Sequence, residues 1–184
     1  MFYFNENKRT RQLGHDYSAP GLYFVTICIK NKFETLGELL NAEIVLNMNG
    51  KIVEKQWLWL GKQYHYVRLD EFVVMPDHFH GIISIEDIGT CRSRPARTDM
   101  NCLRTCKSRL TRTDPKKSLS DLIGAFKTTS SKIIHKESDN NVFVWKRSFH
   151  DHIIKTTQEL INIRKYIRDN PRNLLQYPHD QTST

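Results

Sequence analysis

Short apolar runs rich in β-branched and aromatic residues alternate with longer amphipathic segments along this chain. The run LYFVTICIKN follows a polar stretch that ends in SAPG, and it predicts a first strand at about 22 to 30. Two further runs, YHYVRLDEFVVMP and DHFHGIISIE, meet at Pro76 and Asp77, a pair with turn character. These two runs predict a β-hairpin.

A first amphipathic helix is predicted between the first strand and the hairpin. Apolar residues recur at spacings of three and four from Asn41, taken as the N-cap, to about Gly61. This spacing places them on one helical face despite Gly50 within the run.

Two more helices are predicted in the second half of the chain. Ser118 and Asp121 form a candidate capping box before a helix at about 119 to 136. Thr156 opens a last helix, which is expected to end at Pro171 because proline cannot continue the helical hydrogen bonding. Between these helices, NVFVWKRSFHDHIIK predicts one or two short strands.

The predicted order of elements is strand, helix, strand, strand, helix, strand and a final helix. This is the order of a ferredoxin-like α+β fold, an antiparallel sheet with helices packed on one face, here with an added C-terminal helix. A length of 184 residues predicts a single domain, residues 1–184. The order alone does not indicate a function.

Basic residues are concentrated in one segment of the chain. The formal net charge is +8 and the sequence pI is about 9.4, which favours a polyanionic partner such as nucleic acid. Residues 89–117 contain nine basic and two acidic residues and lack apolar periodicity. We therefore expect a flexible basic insertion in this range. No apolar run approaches the roughly 20 residues that cross a bilayer, and we expect a cytoplasmic protein without a membrane partner.

Candidate chemistry begins in the stretch MPDHFHGII. On a strand, His78 and His80 point to one face and Phe79 to the other, and the two histidine Cα atoms lie about 6.6 Å apart, close enough for both imidazoles to bind one ion. Gly81 would allow a substrate to approach the backbone closely. Asp77 is expected to point away from the histidines as a turn residue. The alternative is a pair of surface or hydrogen-bonded histidines, which is common on strands.

The last helix offers two further polar groups. Tyr166 and Asn170 in YIRDNP are four residues apart and share a helical face. The phenol and the amide could meet the histidines. The alternative is that Tyr166 packs in the core beside Ile163 and Ile167, and that Asn170 caps the helix.

Together, MPDHFHGII and YIRDNP resemble motifs of the HUH single-tyrosine transposases, specifically the IS200-like, REP-associated tyrosine transposases of bacteria. The stretches GLYFVTICIKN, LIGAFKTTSSKII and VWKRSFHDHII resemble family segments in the same order, so the resemblance spans about residues 17 to 175. The arginine-rich insertion has no counterpart in the family pattern. The resemblance implies a ferredoxin-like catalytic domain and cleavage of single-stranded DNA through a covalent 5′-phosphotyrosine.

The resemblance also implies a role for each motif residue. Tyr166 would be the nucleophile, and His78, His80 and Asn170 would hold Mg²⁺ or Mn²⁺. The implied partner is single-stranded DNA with a REP-like hairpin. A monomer is favoured over a homodimer, because Asn170 in the fourth place after the tyrosine resembles the repeat-associated branch.

Contacts to the DNA backbone are expected from basic residues near the second helix and the last strand, namely Lys127, Lys132, Lys146 and Arg147. The alternative is that these side chains are simply solvated.

Two other functions remain open. The chain could be a catalytically silent nucleic-acid-binding protein of ferredoxin-like fold, or a metal-dependent hydrolase with Tyr166 in its core. A second candidate metal pair, His150 and His152, also shares a strand face, but it has no following glycine and no tyrosine-bearing helix of its own.

Overall fold

A computed structural model of the chain describes residues 12, 14–31, 35–40, 43–87, 116–138 and 142–176, the last five as backbone only. The elements in chain order are β1 (Gly21–Cys28), β2 (Gly37–Leu40), β3 (Glu43–Leu46), α1 (Met48–Gln63), β4 (Val67–Val74), β5 (His78–Ile85), α2 (Leu119–Glu137), β6 (His150–Ile154) and α3 (Thr157–Gln176).

Four strands form one antiparallel sheet in the order β4-β5-β1-β6. This is the order of the ferredoxin-like fold: β5 and β6 flank β1, and β4 pairs with the outer side of β5. The predicted fold class is confirmed. Helices α1 and α2 pack against each other on one face of the sheet, and α3 contributes to a separate apolar cluster on the opposite face.

Alternation along β5 decides which side chains enter the main core. Phe79, Ile83 and Ile85 are fully or almost fully buried in the core beneath α1 and α2. Gly81 lies on the same face, where an added Cβ would come within 2.7 Å of a ring carbon of Trp57. The prediction that Gly81 opens space beside the histidines is therefore wrong, because its missing side chain makes room for Trp57.

The predicted start of the first helix is wrong. Residues 43–46 form β3, which pairs with β2, and α1 begins only after Asn47. The Asn47 side chain accepts a hydrogen bond from the Gly50 amide at 3.0 Å and caps the helix. An added Cβ at Gly50 would lie 2.0 Å from the Leu36 carbonyl oxygen, so glycine permits this close approach. Asn41 lies outside the described residues.

The capping box before α2 is confirmed. The Asp121 amide donates to the Ser118 hydroxyl at 3.3 Å, and the Ser118 amide donates to the Asp121 carboxylate at 3.0 Å. The basic run at 89–117 lies outside the described residues except for its last two residues. There, the Lys117 amide donates to the Tyr66 hydroxyl at 2.9 Å, which fixes the entry to α2 against the core.

The last helix begins as predicted but ends later. The Glu159 amide donates to the Thr156 hydroxyl at 3.2 Å, as expected for an N-cap. The helix continues through Pro171 to Gln176, so the prediction that Pro171 ends it is wrong. Proline removes one backbone donor, and a helix can tolerate that loss when its other hydrogen bonds remain. Within the described part of the chain, no helix has the length and apolar character needed to cross a membrane.

Candidate active site

The two motif histidines lie together on the α3 face of the sheet. Their ring centroids are 4.5 Å apart. The His80 side chain is buried at 2% exposure, whereas that of His78 is 17% exposed at the end of β5. Phe79 between them points into the opposite core. Strand alternation thus brings the imidazoles together as the sequence predicted.

Each imidazole is held through its Nδ1 atom. Nδ1 of His78 lies 2.6 Å from the Asp77 carboxylate, and Nδ1 of His80 lies 2.8 Å from the Thr26 hydroxyl. The prediction that Asp77 points away from the histidines is wrong, because the turn directs its carboxylate back onto His78. With Nδ1 engaged, Nε2 is the ring nitrogen that would bind an ion.

Thr26 was missed by sequence reasoning. It lies opposite His80 in the β1–β5 register and is itself buried at 7% exposure. The available signal was a hydroxyl in the middle of the apolar run LYFVTICI, since a buried polar group needs a hydrogen-bond partner. The sequence alone did not identify that partner.

Burial sets the protonation of His80. Desolvation, with a smaller contribution from the neighbouring His78, holds the pKa of His80 well below its ordinary value of 6.5. His80 is therefore neutral at physiological pH, and the neutral imidazole is the form that binds metal ions.

Helix α3 places Tyr166 against His80. The ring centroids of these two residues are 5.4 Å apart, and Phe24 contacts both, with its ring centroid 5.4 Å from that of His80 and 6.1 Å from that of Tyr166. Ile163 and Ile167 are almost fully buried on the same side of the helix and fix it to the sheet. Tyr166 therefore borders this apolar cluster and also contacts His80, so its two sequence interpretations are compatible.

Asn170 completes the group one helical turn beyond Tyr166. It is buried at 7% exposure and hydrogen-bonds the phenol. Burial raises the pKa of Tyr166, and the hydrogen bond from Asn170 partly opposes that rise. The phenol is consequently neutral at physiological pH, and nucleophilic attack by it would require a base or nearby positive charge.

The candidate donors on this face are two imidazoles, which contact each other, and the Asn170 amide, which contacts the phenol of Tyr166. In the described ranges there is no group of three or more His, Cys, Asp or Glu side chains able to hold a metal ion. The set of His78, His80 and Asn170 contains only two residues of those types. It provides nitrogen donors and one amide oxygen, which suits a divalent ion that keeps open positions for phosphate and water.

Comparison with known proteins identifies the family. The chain is 35% identical over 173 residues to an uncharacterized protein of Haemophilus influenzae, covering 90% of this chain and 88% of that protein. Residues 109–170 match the family model described as "Transposase IS200 like". This chain belongs to the IS200-like transposase family. The resemblance found in the motifs is confirmed.

The fold of this IS200-like transposase is shared with a solved relative. A REP-associated tyrosine transposase, determined with a bound REP hairpin, superposes with a TM-score of 0.55 at 16% identity, covering 90% of this chain and 73% of that one. At this identity the likeness establishes the fold. The family match itself includes Tyr166 and ends at Asn170, whereas the histidine pair lies outside it.

The predicted DNA contacts of the transposase lie in different surroundings. The Lys127 ammonium donates to the backbone carbonyls of residues 146–148 at 2.9 to 3.2 Å and lies 5.5 Å from the Phe149 ring centroid. Lys127 thus holds the loop before β6. The other three predicted contacts, Lys132, Lys146 and Arg147, are exposed. Their role in DNA binding stays a prediction.

The second histidine pair lies on β6. His152 hydrogen-bonds Glu159 in the first turn of α3, and Glu159 also accepts from the Lys155 amide at 2.8 Å. This contact joins β6 to the start of α3. His150 lies opposite Thr26 in the β1–β6 register.

Proposed function

We propose that this transposase cleaves and rejoins single-stranded DNA through a 5′-phosphotyrosine on Tyr166. His78, His80 and Asn170 would hold the divalent ion, Mg²⁺ or Mn²⁺. The observation that supports this most directly is the packing of the Tyr166 ring against His80, with ring centroids 5.4 Å apart. The Tyr166 oxygen must come within about 3 to 3.5 Å of phosphorus to attack it, and an ion held by His80 would place the phosphate beside this phenol.

The surroundings of the histidines favour ion binding over a purely structural role. Both imidazoles have Nδ1 engaged, by Asp77 and Thr26, which would direct Nε2 of each ring toward a shared ion. His80 is neutral and does not have to lose a proton to bind. A bound divalent ion would polarise the scissile phosphate.

The residues of this chain account for the covalent step. The Tyr166 oxygen attacks phosphorus and forms the tyrosyl ester, and the bond from phosphorus to the 3′ oxygen breaks. The phenolic proton passes to solvent water, and the departing 3′ oxygen takes up a proton from solvent, which leaves a 3′-hydroxyl. Asn170 assists because its hydrogen bond favours the deprotonated phenol.

Rejoining follows from the same linkage. The tyrosyl ester conserves the phosphodiester bond, so a 3′-hydroxyl can attack it and release Tyr166 without another energy source. Strand transfer and cleavage would therefore use one set of residues.

The proposed substrate is single-stranded DNA carrying a hairpin, bound by a monomer. The structural relative was determined with a REP hairpin, and the formal net charge of +8 suits a polyanionic ligand. Lys132, Lys146 and Arg147 are exposed and able to contact phosphates, whereas Lys127 would act by holding the loop that carries the last two.

Covalent capture tests the proposal. The full chain is incubated with fluorescently labelled hairpin single-stranded DNA and Mg²⁺ or Mn²⁺, and adducts are separated under denaturing conditions. We expect an adduct with the unmodified protein and none with Tyr166→Phe, which keeps the packing of the ring. Tyr64→Phe, at the end of α1, is the matched control and should form the adduct normally. Adduct formation by Tyr166→Phe at the unmodified level would rule out this nucleophile.

A further inference from the structure

Two ion pairs join α3 to the edge strand β4. Arg164 donates from Nε to one oxygen of Asp70 at 3.0 Å and from Nη2 to the other oxygen. One turn later, Arg168 donates from Nε to Glu71 at 3.1 Å and also from Nη2 to the same oxygen. The side chains of Asp70 and Arg164 are 25% and 37% exposed, so this pair is the more shielded of the two. We refer to these four residues as the α3 anchor.

The anchor depends on an irregularity in β4. The pairing of β4 with β5 shifts register between Leu69 and Phe72, and Asp70 and Glu71 occupy the interruption. In a regular strand two consecutive side chains would point to opposite faces. A bulge redirects one of them, which allows both carboxylates to reach the same helix.

The anchor and Tyr166 lie on opposite edges of α3. At about 100° per residue, Tyr166 projects roughly 160 to 200° around the helix from the two arginines. Ile163 and Ile167 occupy the arc between them and rest on the sheet. A rotation of α3 about its own axis would therefore move the arginines and the phenol together.

Apolar packing alone fixes this rotation poorly, because hydrophobic contact is non-directional. A paired guanidinium and carboxylate is directional, and two such pairs one turn apart define both the rotation and the axial position of the helix. Arg164 also holds the pKa of Asp70 below its ordinary value, so the carboxylate is charged at physiological pH.

We propose that Asp70, Glu71, Arg164 and Arg168 are positioning residues that keep the Tyr166 phenol against His80. The proposal rests on the proposed function of Tyr166. A displacement of about 1 Å at a reacting group can cost a hundredfold in rate. Ion pairs this exposed contribute little to overall stability. The expected signature is loss of reaction rate with little loss of stability.

The test measures the initial rate of adduct formation at saturating hairpin DNA and Mn²⁺, together with the melting temperature of each full-length variant. Arg164→Ala should lower the rate by about 10- to 100-fold with a nearly unchanged melting temperature. Arg164→Lys keeps the charge but not the paired geometry, and it should remain several-fold slow. The matched control is Arg68→Ala, also on β4, which removes the exposed ion pair of Arg68 with Glu86 and should react normally.

A charge exchange provides the decisive variant. The double variant Asp70→Arg with Arg164→Asp should form the adduct at least tenfold faster than either single variant, because the ion pair can form with its charges exchanged. Rates within twofold of the unmodified protein in both Arg164 variants, or no recovery in the exchange, would overturn the proposal. If Arg164→Ala unfolds, the rates of Arg164→Lys and of the exchange decide in the same way.

A second readout separates this proposal from the proposed function. In the free protein, the nuclear Overhauser effect between the ring protons of Tyr166 and His80 should be strong and should weaken in Arg164→Ala. This measurement does not require cleavage. An absent adduct with the unmodified protein would contradict the proposed function, whereas an unchanged ring contact in Arg164→Ala would contradict the positioning role.

Discussion

The two faces of the sheet are built from alternate residues of the same strands, yet they differ in chemistry. Beneath α1 and α2, the strand residues that face the helices are apolar, and the aromatic rings of Trp57, Phe79 and Phe126 pack within 5.5 Å of one another. Beneath α3, the apolar cluster is smaller and lies beside the hydrogen-bonded groups of Thr26 and His80. One face thus provides most of the apolar burial, and the other provides the candidate chemistry.

Because of this difference, one short run can contribute both to the main core and to the candidate site. In MPDHFHGII, Phe79 contributes to the main core while its two neighbours carry the candidate ligands. Buried polar groups are tolerated on the α3 face because they are hydrogen-bonded. We therefore expect substitution of Phe79 to lower stability, and substitution of either neighbouring histidine to lower the rate of reaction.

The largest effect on reaction should come from the histidines. His78→Ala and His80→Ala should each lower adduct formation by about a hundredfold or more, because an open site with three protein ligands cannot readily lose one. Adduct yield is measured across a titration of Mg²⁺ and Mn²⁺. Normal cleavage in Mg²⁺ by either variant would refute metal binding at this pair.

The largest effect on stability should come from the residue between them. Phe79→Ala should lower the free energy of unfolding by about 3 to 5 kcal/mol, because it leaves a cavity beside Trp57 and Phe126. Urea denaturation measures the change. Mn²⁺ affinity of the folded fraction should stay close to that of the unmodified protein. A large loss of Mn²⁺ affinity in Phe79→Ala without loss of stability would contradict the assignment of packing to one face and ion binding to the other.

A smaller effect is expected from the partner of His80. Thr26→Val keeps the shape of the side chain but removes the hydroxyl that holds Nδ1, and ion affinity should fall by about 10- to 100-fold. Thr26→Ser retains the hydroxyl and is the control. Isothermal titration with Mn²⁺ measures both variants, and equal affinities would show that the Thr26 contact has no bearing on ion binding.

The smallest effect concerns pH. The pKa of His80 in the folded protein is depressed below 6.5, so the unfolded chain binds this proton more readily. The stability associated with neutral His80 is complete above pH 6.5 and is lost as pH falls below it toward the folded pKa. Urea midpoints between pH 7.5 and 5 should decline less in His80→Gln than in the unmodified protein. Equal declines of the urea midpoint in the two proteins would contradict a depressed pKa of His80.

Features specified by local sequence could be predicted. Alternation in β5 placed His78 and His80 on one face, and the spacing of four placed Tyr166 and Asn170 on one side of α3. The box formed by Ser118 and Asp121 is likewise contained within four residues. In each case the physical cause is a short-range period or a capping hydrogen bond.

Features that depend on contacts between distant parts of the chain could not be predicted. Thr26 meets His80 only through the β1–β5 register, and Arg164 meets Asp70 across 94 residues. The hairpin of β2 and β3 was missed because Ile44, Val45 and Met48 fit the helical spacing as well as they fit a strand followed by a helix. Val45 and Met48 are in fact exposed.

The most direct test of the account is the position of the covalent bond. Adduct formed with hairpin single-stranded DNA is digested with nuclease and protease, and mass spectrometry locates the tyrosine that retains a nucleotide. We predict a nucleotide joined through a 5′ phosphate to Tyr166, the tyrosine on the α3 face beside His80. A nucleotide on Tyr23, which is buried in the opposite core, or on any other tyrosine would contradict the assignment of chemistry to the α3 face.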